Sequence, residues 1–284
     1  MRLSLIVPTL GRTACIPLLL DSLARQTLQD FEVIVVDQNQ DDRLGDMLQP
    51  GRWPFPLRHL HTPGAFGASR ARNAGLKLAT GDILLFPDDD CWYPPWFLDK
   101  AVQLFRDHDC AAVAGRAADE LGRSINGRYD LAPGWIGRHN IWTTQIEWVV
   151  LFRRDALLAV GGYDETIGVG AGTPWGASEG QDVMLRVLAA GHRAYYDPSL
   201  YGHHPELDVF APGSDMTRKG RAYARGMGYV LRQHRFSAVQ ATYWMVRPAI
   251  GALLNLLRGR PQRSAYQWNI AIGRYEGWRQ RCLN

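Results

Sequence analysis

The sequence predicts an α/β fold in which a mostly parallel sheet is flanked by helices and followed by a basic helical extension. Three observations predict it. Two successive segments alternate short β-rich runs with runs of helical period; the apolar stretch at 83–86 leads straight into Asp88, Asp89 and Asp90; and the positive charge gathers beyond Arg218.

The elements follow in chain order. Residues 3–7 and 32–37 are short β-rich runs, and between them 16–26 places Ile16, Leu19, Leu20 and Leu23 on one helical face, completing a βαβ unit. A second unit starts at 57–61, passes through a helix over 68–79 that Thr80-Gly81 stops, and ends in the strand 83–86. Units of this kind imply parallel strands joined by right-handed crossovers. A further helix is expected after Pro94-Pro95. Gly- and Trp-rich stretches at 113–148 and 161–178 read as loops over a cleft, helix returns at 179–190, and 193–197 reads as another strand. The expected organisation is an α/β body over 1–217, in two parts (1–110 and 111–217), and an aromatic, basic helical extension over 218–284.

With 284 residues and 46% hydrophobic content the chain can bury a substantial core. Cys15, Cys91, Cys110 and Cys282 have no paired spacing, which argues against a zinc site or a disulfide framework. The apolar stretch at the N-terminus is short for a signal peptide, and no run reaches the roughly 18 apolar residues of a transmembrane helix. The expected location is the cytoplasm, with peripheral attachment to a membrane as the alternative. From Arg218 onward 13 Lys+Arg face a single acid, Glu276, whereas the preceding 217 residues hold 19 basic and 27 acidic residues. Such a tail calls for an anionic partner, either a membrane surface or the acidic body itself; no nucleic-acid-binding motif accompanies it. Pro248 is expected to break the apolar run over 239–258.

Three adjacent aspartates carry the chemistry. Carboxylates 4 Å apart repel by roughly 4 kcal/mol at an effective dielectric near 20, so the triplet must be solvated, protonated or bound to a cation. A solvated turn that caps the next helix is one reading. The other is a metal-diphosphate site, because open α/β sheets bind ligands at the carboxyl ends of their strands and hard cations share carboxylates with phosphate.

Together VPTLGR (7–12), VVDQNQDD (35–42), SRARNAGLKLATGDILLFPDDD (69–90), FRRDALLAVGGYDE (152–165), EGQDVMLRVLAAG (179–191) and HHP (203–205) resemble, in order and spacing over residues 1–205, the family 2 glycosyltransferases of the GT-A fold. The resemblance implies a Rossmann-like GT-A sheet and an inverting transfer of sugar from a nucleotide-diphosphate donor, expected to be a UDP-sugar, to an acceptor hydroxyl, with Mn2+ or Mg2+. It places Pro8, Thr9, Arg12, Asp37, Arg72, Asn73, Asp88 and Asp89 toward the nucleotide. Asp90 becomes a metal ligand, with Asp88 beside it, and His203 or His204 closes the metal or diphosphate site. Asp182 matches the catalytic base, although Gln181 stands where the family carries a glutamate, which leaves Glu179 as the second candidate. Trp175 and Gln181 fall to the acceptor or sugar pocket, a core tryptophan being the other reading of Trp175. Gln38-Asn39 also departs from the family's usual acidic pair. The resemblance further implies a saccharide or lipid-linked saccharide acceptor in cell-surface polysaccharide synthesis. Two rivals are a nucleotidyltransferase, for which LGRT (10–13) is a poor phosphate loop, and a non-catalytic module on the same fold. A dinucleotide oxidoreductase lacks its G-x-G-x-x-G.

Overall fold

Leu3–Thr9 forms β1, whose residues are almost all buried because the strand lies inside the sheet. The computed structural model describes residues 1–207 and 212–283. They fall into two compact units, Met1–Tyr163 with Val183–Glu206, and Asp164–Asp182 with Leu207–Asn284. The expected boundary at 217/218 instead falls inside a helix that begins at Ser214.

In the first unit, β1 is followed by α1 (Ile16–Ala24), β2 (Phe31–Asp37), β3 (Leu57–His61), α2 (Ala68–Leu76), β4 (Ile83–Leu85), α3 (Phe97–Asp107), β5 (Ala112–Ala117), β6 (Gly134–Trp135), β7 (Val150–Arg153), α4 (Arg154–Ala159) and β8 (Ala194–Gly202). The helix α5 (Glu179–Ala189) begins in the second unit and continues in the first. The sheet order is β3-β2-β1-β4-β7-β5-β8-β6. β3, β2, β1 and β4 are parallel, β7 runs antiparallel between β4 and β5, and β8 is parallel to β5. Two reversals restore direction, so β1, β2, β4 and β8 all end on one edge of the sheet, and β7 starts there.

The predicted face of α1 is the buried one: Ile16, Leu19, Leu20 and Leu23 pack into the core with Leu5, Val33 and Phe97. The helix ends before Gln26 because that side chain binds elsewhere, donating to the Pro94 carbonyl at 2.8 Å and accepting from the Leu98 N–H at 3.1 Å. Likewise α2 ends at Leu76, short of Thr80-Gly81. Gly81 serves a different need, since a Cβ there would lie 2.6 Å from the β1 backbone at Leu3 and Ser4. All of β5 but Ala112 lies within the stretch 113–148 expected to be loop. Its residues, AVAGRA, are mostly Ala and Gly, with Gly115 required because a Cβ there would lie 2.0 Å from the Leu200 carbonyl, and a single Val113 is too little β-branched signal to advertise a strand.

The second unit carries α6 (Ser214–Gln233), α7 (Ala238–Leu257) and α8 (Pro261–Arg279). Backbones of α6 and α8 approach closely through glycines: a Cβ on Gly228 would meet the Arg274 carbonyl at 2.1 Å, and one on Gly277 the Arg225 carbonyl at 2.0 Å. Ser237 and Gln240 form a capping box at the start of α7. Contrary to expectation, Pro248 lies inside a continuous α7. Proline has no N–H for the Trp244 carbonyl, and Arg274 Nη1 from α8 supplies the missing donor. Burial pushes the pKa of Arg274 down to about 10, with Arg247 adding to the effect.

Glu276 of α8 has no exposed side-chain surface and pairs with Arg221 and Arg225 of α6, while accepting from the Leu283 N–H. Burial raises its carboxyl, but these donors outweigh burial and lower the pKa from its ordinary 4.5 to about 2. A depressed folded pKa stabilises the unit above about pH 4.5, and the contribution is lost as pH falls toward about 2. Glu276→Gln is expected to cost about 3 kcal/mol in denaturant unfolding at neutral pH, because two arginines lose their partner. It should also flatten the acid limb of stability between those two pH values.

Candidate active site

The sheet edge where β1, β2, β4 and β8 end carries a cluster of charge. After β4 the chain turns tightly, the Asp88 carbonyl accepting from the Cys91 N–H at 3.2 Å, and Trp92 then pairs backbone to backbone with His203. That pairing brings the end of β8 against the aspartate turn. The donor atoms of Asp88, Asp90 and His204 lie within 4.8 Å of one another.

Each aspartate has different company. Asp89 is buried and accepts from Thr9 Oγ1 at 2.7 Å and Arg12 Nη1 at 2.8 Å, tying the turn to the end of β1. Asp90 pairs with Arg12 and with His204 Nε2 at 3.1 Å. Asp88 contacts Arg72 Nη2 at 3.2 Å. Arg72 is buried; its Nη1 reaches Glu147 at 2.9 Å, and its guanidinium lies over the Tyr163 ring at 5.4 Å. Glu147 arrives just before β7, the antiparallel strand that starts on this edge.

These environments separate the carboxylates. Although Asp88 keeps 35% of its side chain exposed, the protein around it desolvates the carboxyl and raises it to about 6, with Arg72 opposing and Asp90 adding. Desolvation also raises Asp89 against its bonds to Thr9 and Arg12. For Asp90, desolvation is outweighed by His204 and Arg12, which lower its pKa. Asp90 is therefore the member of the triplet held most firmly as an anion.

The two histidines part company because successive residues of an extended chain face opposite ways. His203 is buried, donates from Nδ1 to the Ala118 carbonyl at 3.0 Å and packs on Trp92 and Tyr201. It does not join the carboxylates. His204 stacks on Trp148 and bonds through Nδ1 to the Pro205 carbonyl at 2.8 Å, which requires the proton on Nδ1 and turns Nε2 toward Asp90. An imidazole anchored through one nitrogen with the other facing carboxylates is the arrangement expected of a metal-ligating histidine. Two carboxylates and an imidazole suit Mn2+ and, less well, Mg2+.

Other residues expected near the nucleotide have partners of their own. Asp37 is fully buried, accepting from Asn39 N at 2.9 Å and Nδ2 at 2.7 Å, and from His59 Nε2 at 3.0 Å. Asn39 in turn accepts from the Gly11 N–H at 2.7 Å, so Asp37 orders the loop that carries Arg12. Pro8 lies on β1 beyond the last residue paired with β4, where its missing N–H interrupts no bond to that strand. Both amide atoms of Asn73 bond the Tyr163 backbone at 2.9 Å. Arg70 is exposed.

In the second unit, Glu179 and Asp182 occupy the first turn of α5 and are both buried. Asp182 Oδ1 accepts from His234 Nε2 of α6 at 2.8 Å. Glu179 packs against Gly168, whose φ of +110° and lack of Cβ make room for the carboxyl. Trp175 has one face stacked on Tyr229, centroids 4.7 Å apart, and Gln181 is partly exposed. Glu147, His59 and His234 carry no signature in the sequence that marks them for these contacts. For Glu147 and His234 no local signal exists, since each acts on a partner more than 50 residues away.

The profile described as glycosyl transferase family 2 matches residues 4–155. An uncharacterized glycosyltransferase of Haemophilus influenzae is 38% identical over 102 residues, 36% of this chain and 34% of that protein. A PGL/p-HBAD biosynthesis glycosyltransferase of Mycobacterium bovis is 34% identical over 130 residues, 44% of this chain and 49% of that protein. The matched segments thus span about a third to a half of these relatives' length. Among solved structures, the mannosyltransferase PcManGT from Pyrobaculum calidifontis, in complex with GDP-Man and Mn2+, superposes with a TM-score of 0.64 at 18% identity, covering 98% of this chain and 87% of that one. S. aureus TarS 1-349 superposes at 0.60 and 17% identity, covering 100% and 93%, and its complex with UDP-GlcNAc at 0.56. These likenesses show a GT-A fold.

Proposed function

The chain belongs to glycosyl transferase family 2, and from that premise we propose that it is an inverting, metal-dependent transferase moving a sugar from a nucleoside-diphosphate donor, a UDP-sugar, to an acceptor hydroxyl. One observation carries the reading: Asp88, Asp90 and His204 converge within 4.8 Å where the parallel strands end, with His204 already anchored as a ligand would be. Those three residues would hold Mn2+ or Mg2+. When bound, the cation neutralises charge on the departing diphosphate. Arg72 and Glu147 orient Asp88, and Thr9 and Arg12 hold Asp89, so the cluster is positioned before donor arrives. The acceptor oxygen forms its bond to the anomeric carbon as the bond from that carbon to the diphosphate breaks, and Asp182 takes the hydroxyl proton, Glu179 being the second candidate. The neighbours solved with UDP-GlcNAc and with GDP-Man and Mn2+ favour donors of this class. The relative in PGL/p-HBAD biosynthesis favours a saccharide or lipid-linked saccharide acceptor, and with it a place in cell-surface glycan assembly.

Screening UDP-, GDP- and dTDP-sugars for nucleotide release and thermal stabilisation tests the reading. A UDP-sugar with Mn2+ is expected to raise the melting temperature and release UDP, and EDTA to abolish both. Selective response to a GDP- or dTDP-sugar would reassign the base. Pyrophosphate release from a nucleoside triphosphate and a sugar phosphate would replace the transferase reading with a nucleotidyltransferase.

A further inference from the structure

The helix α7 exposes one apolar stripe. Val239, Tyr243, Val246, Ile250, Leu253 and Leu257 are 80%, 57%, 44%, 52%, 58% and 85% exposed. Their spacing alternates four and three residues, so at about 100° per residue they share an arc of about 80° along about 27 Å of helix. On the opposite side Ala241, Ala252 and Asn255 are buried, and α8 closes over the helix through Ser264 on the Ala252 carbonyl and Gln267 on Asn255. The stripe is therefore the outward face of a helix whose inward face already has its partner. A contiguous apolar surface of this kind marks an interaction site.

Charge selects the occupant. From Ser237 to the C-terminus the chain has seven arginines and one acid, and that acid, Glu276, is fully buried. Arg258 and Arg260 are exposed where the stripe ends, and Arg247 flanks its middle. A second copy of this face would bring like charges together with no exposed acid across from them, whereas anionic lipid headgroups complement the arginines while the acyl boundary takes up the stripe. Among the described residues no helix is long and apolar enough to cross a membrane, so the helix would lie in the surface. We propose that this face of α7 docks in the plane of a bilayer containing anionic phospholipid.

Co-sedimentation of the full chain with phosphatidylcholine vesicles, with and without phosphatidylglycerol, tests it. Binding is expected only with phosphatidylglycerol, decreasing as salt rises. Replacing three stripe residues together (Ile250→Ser, Leu253→Ser, Leu257→Ser) should weaken partitioning at least about tenfold with helix content unchanged. Should that variant misfold, an environment-sensitive dye on Leu253→Cys is expected to shift to the blue on anionic vesicles by more than the same dye on the unaltered chain. Unaltered protein remaining in the supernatant, or a dye shift no larger than the reference, overturns the proposal. So does a lipid-independent dimer that the triple substitution dissolves, which would assign the face to a second copy.

Discussion

Asp90→Ala is expected to abolish the Mn2+-dependent part of UDP binding and to cut turnover by at least about 10² to 10³. Of the three aspartates, Asp90 alone has its pKa lowered, and it alone contacts both Arg12 and His204. Removing it takes an anionic oxygen from the cluster that Asp88 and His204 cannot replace from their own positions. Titration calorimetry of UDP with and without Mn2+ reads the effect. His203→Ala is the comparison: its ring lies behind the sheet edge against Trp92 and Tyr201, so it should lower the melting temperature and leave metal-dependent affinity within a few fold. Metal-dependent affinity that survives in Asp90→Ala would remove this residue from the metal site.

Asp182→Asn is expected to reduce turnover about 10²-fold or more while donor affinity changes by no more than a few fold, the pattern of a lost general base. The His234 contact at 2.8 Å fixes the position of the carboxylate. An asparagine keeps the shape and can still pair with His234, but it cannot take up the proton. Glu179→Gln separates the candidates. If Glu179→Gln is inactive and Asp182→Asn turns over normally, the two residues exchange roles.

The strands and helices of the first half were legible because their apolar residues recur at a period readable in a short window: Ile16, Leu19, Leu20 and Leu23 mark α1 without knowledge of what they touch. β5 escaped because it is mostly Ala and Gly, which carry no strand signature, and the reason for Gly115 is the Leu200 carbonyl of β8, far along the chain. The break predicted at Pro248 failed for a related reason. Whether a proline ends a helix depends on the donor available to the carbonyl four residues back, and here that donor is Arg274 of another helix.

Sequence by itself determined the family, the βαβ alternation, the aspartates after β4 and the concentration of positive charge beyond Arg218, because each is a local pattern or a simple count. Tertiary structure decided which histidine meets the carboxylates, that Asn73 bonds the Tyr163 backbone, and that Glu147 enters the site just before β7. The physical reason is sheet geometry. Alternation along an extended chain sends His203 and His204 to opposite sides, and one antiparallel strand among parallel neighbours delivers its beginning, not its end, to the edge where the others finish. Both outcomes depend on pairings between segments tens of residues apart, to which a local window is blind.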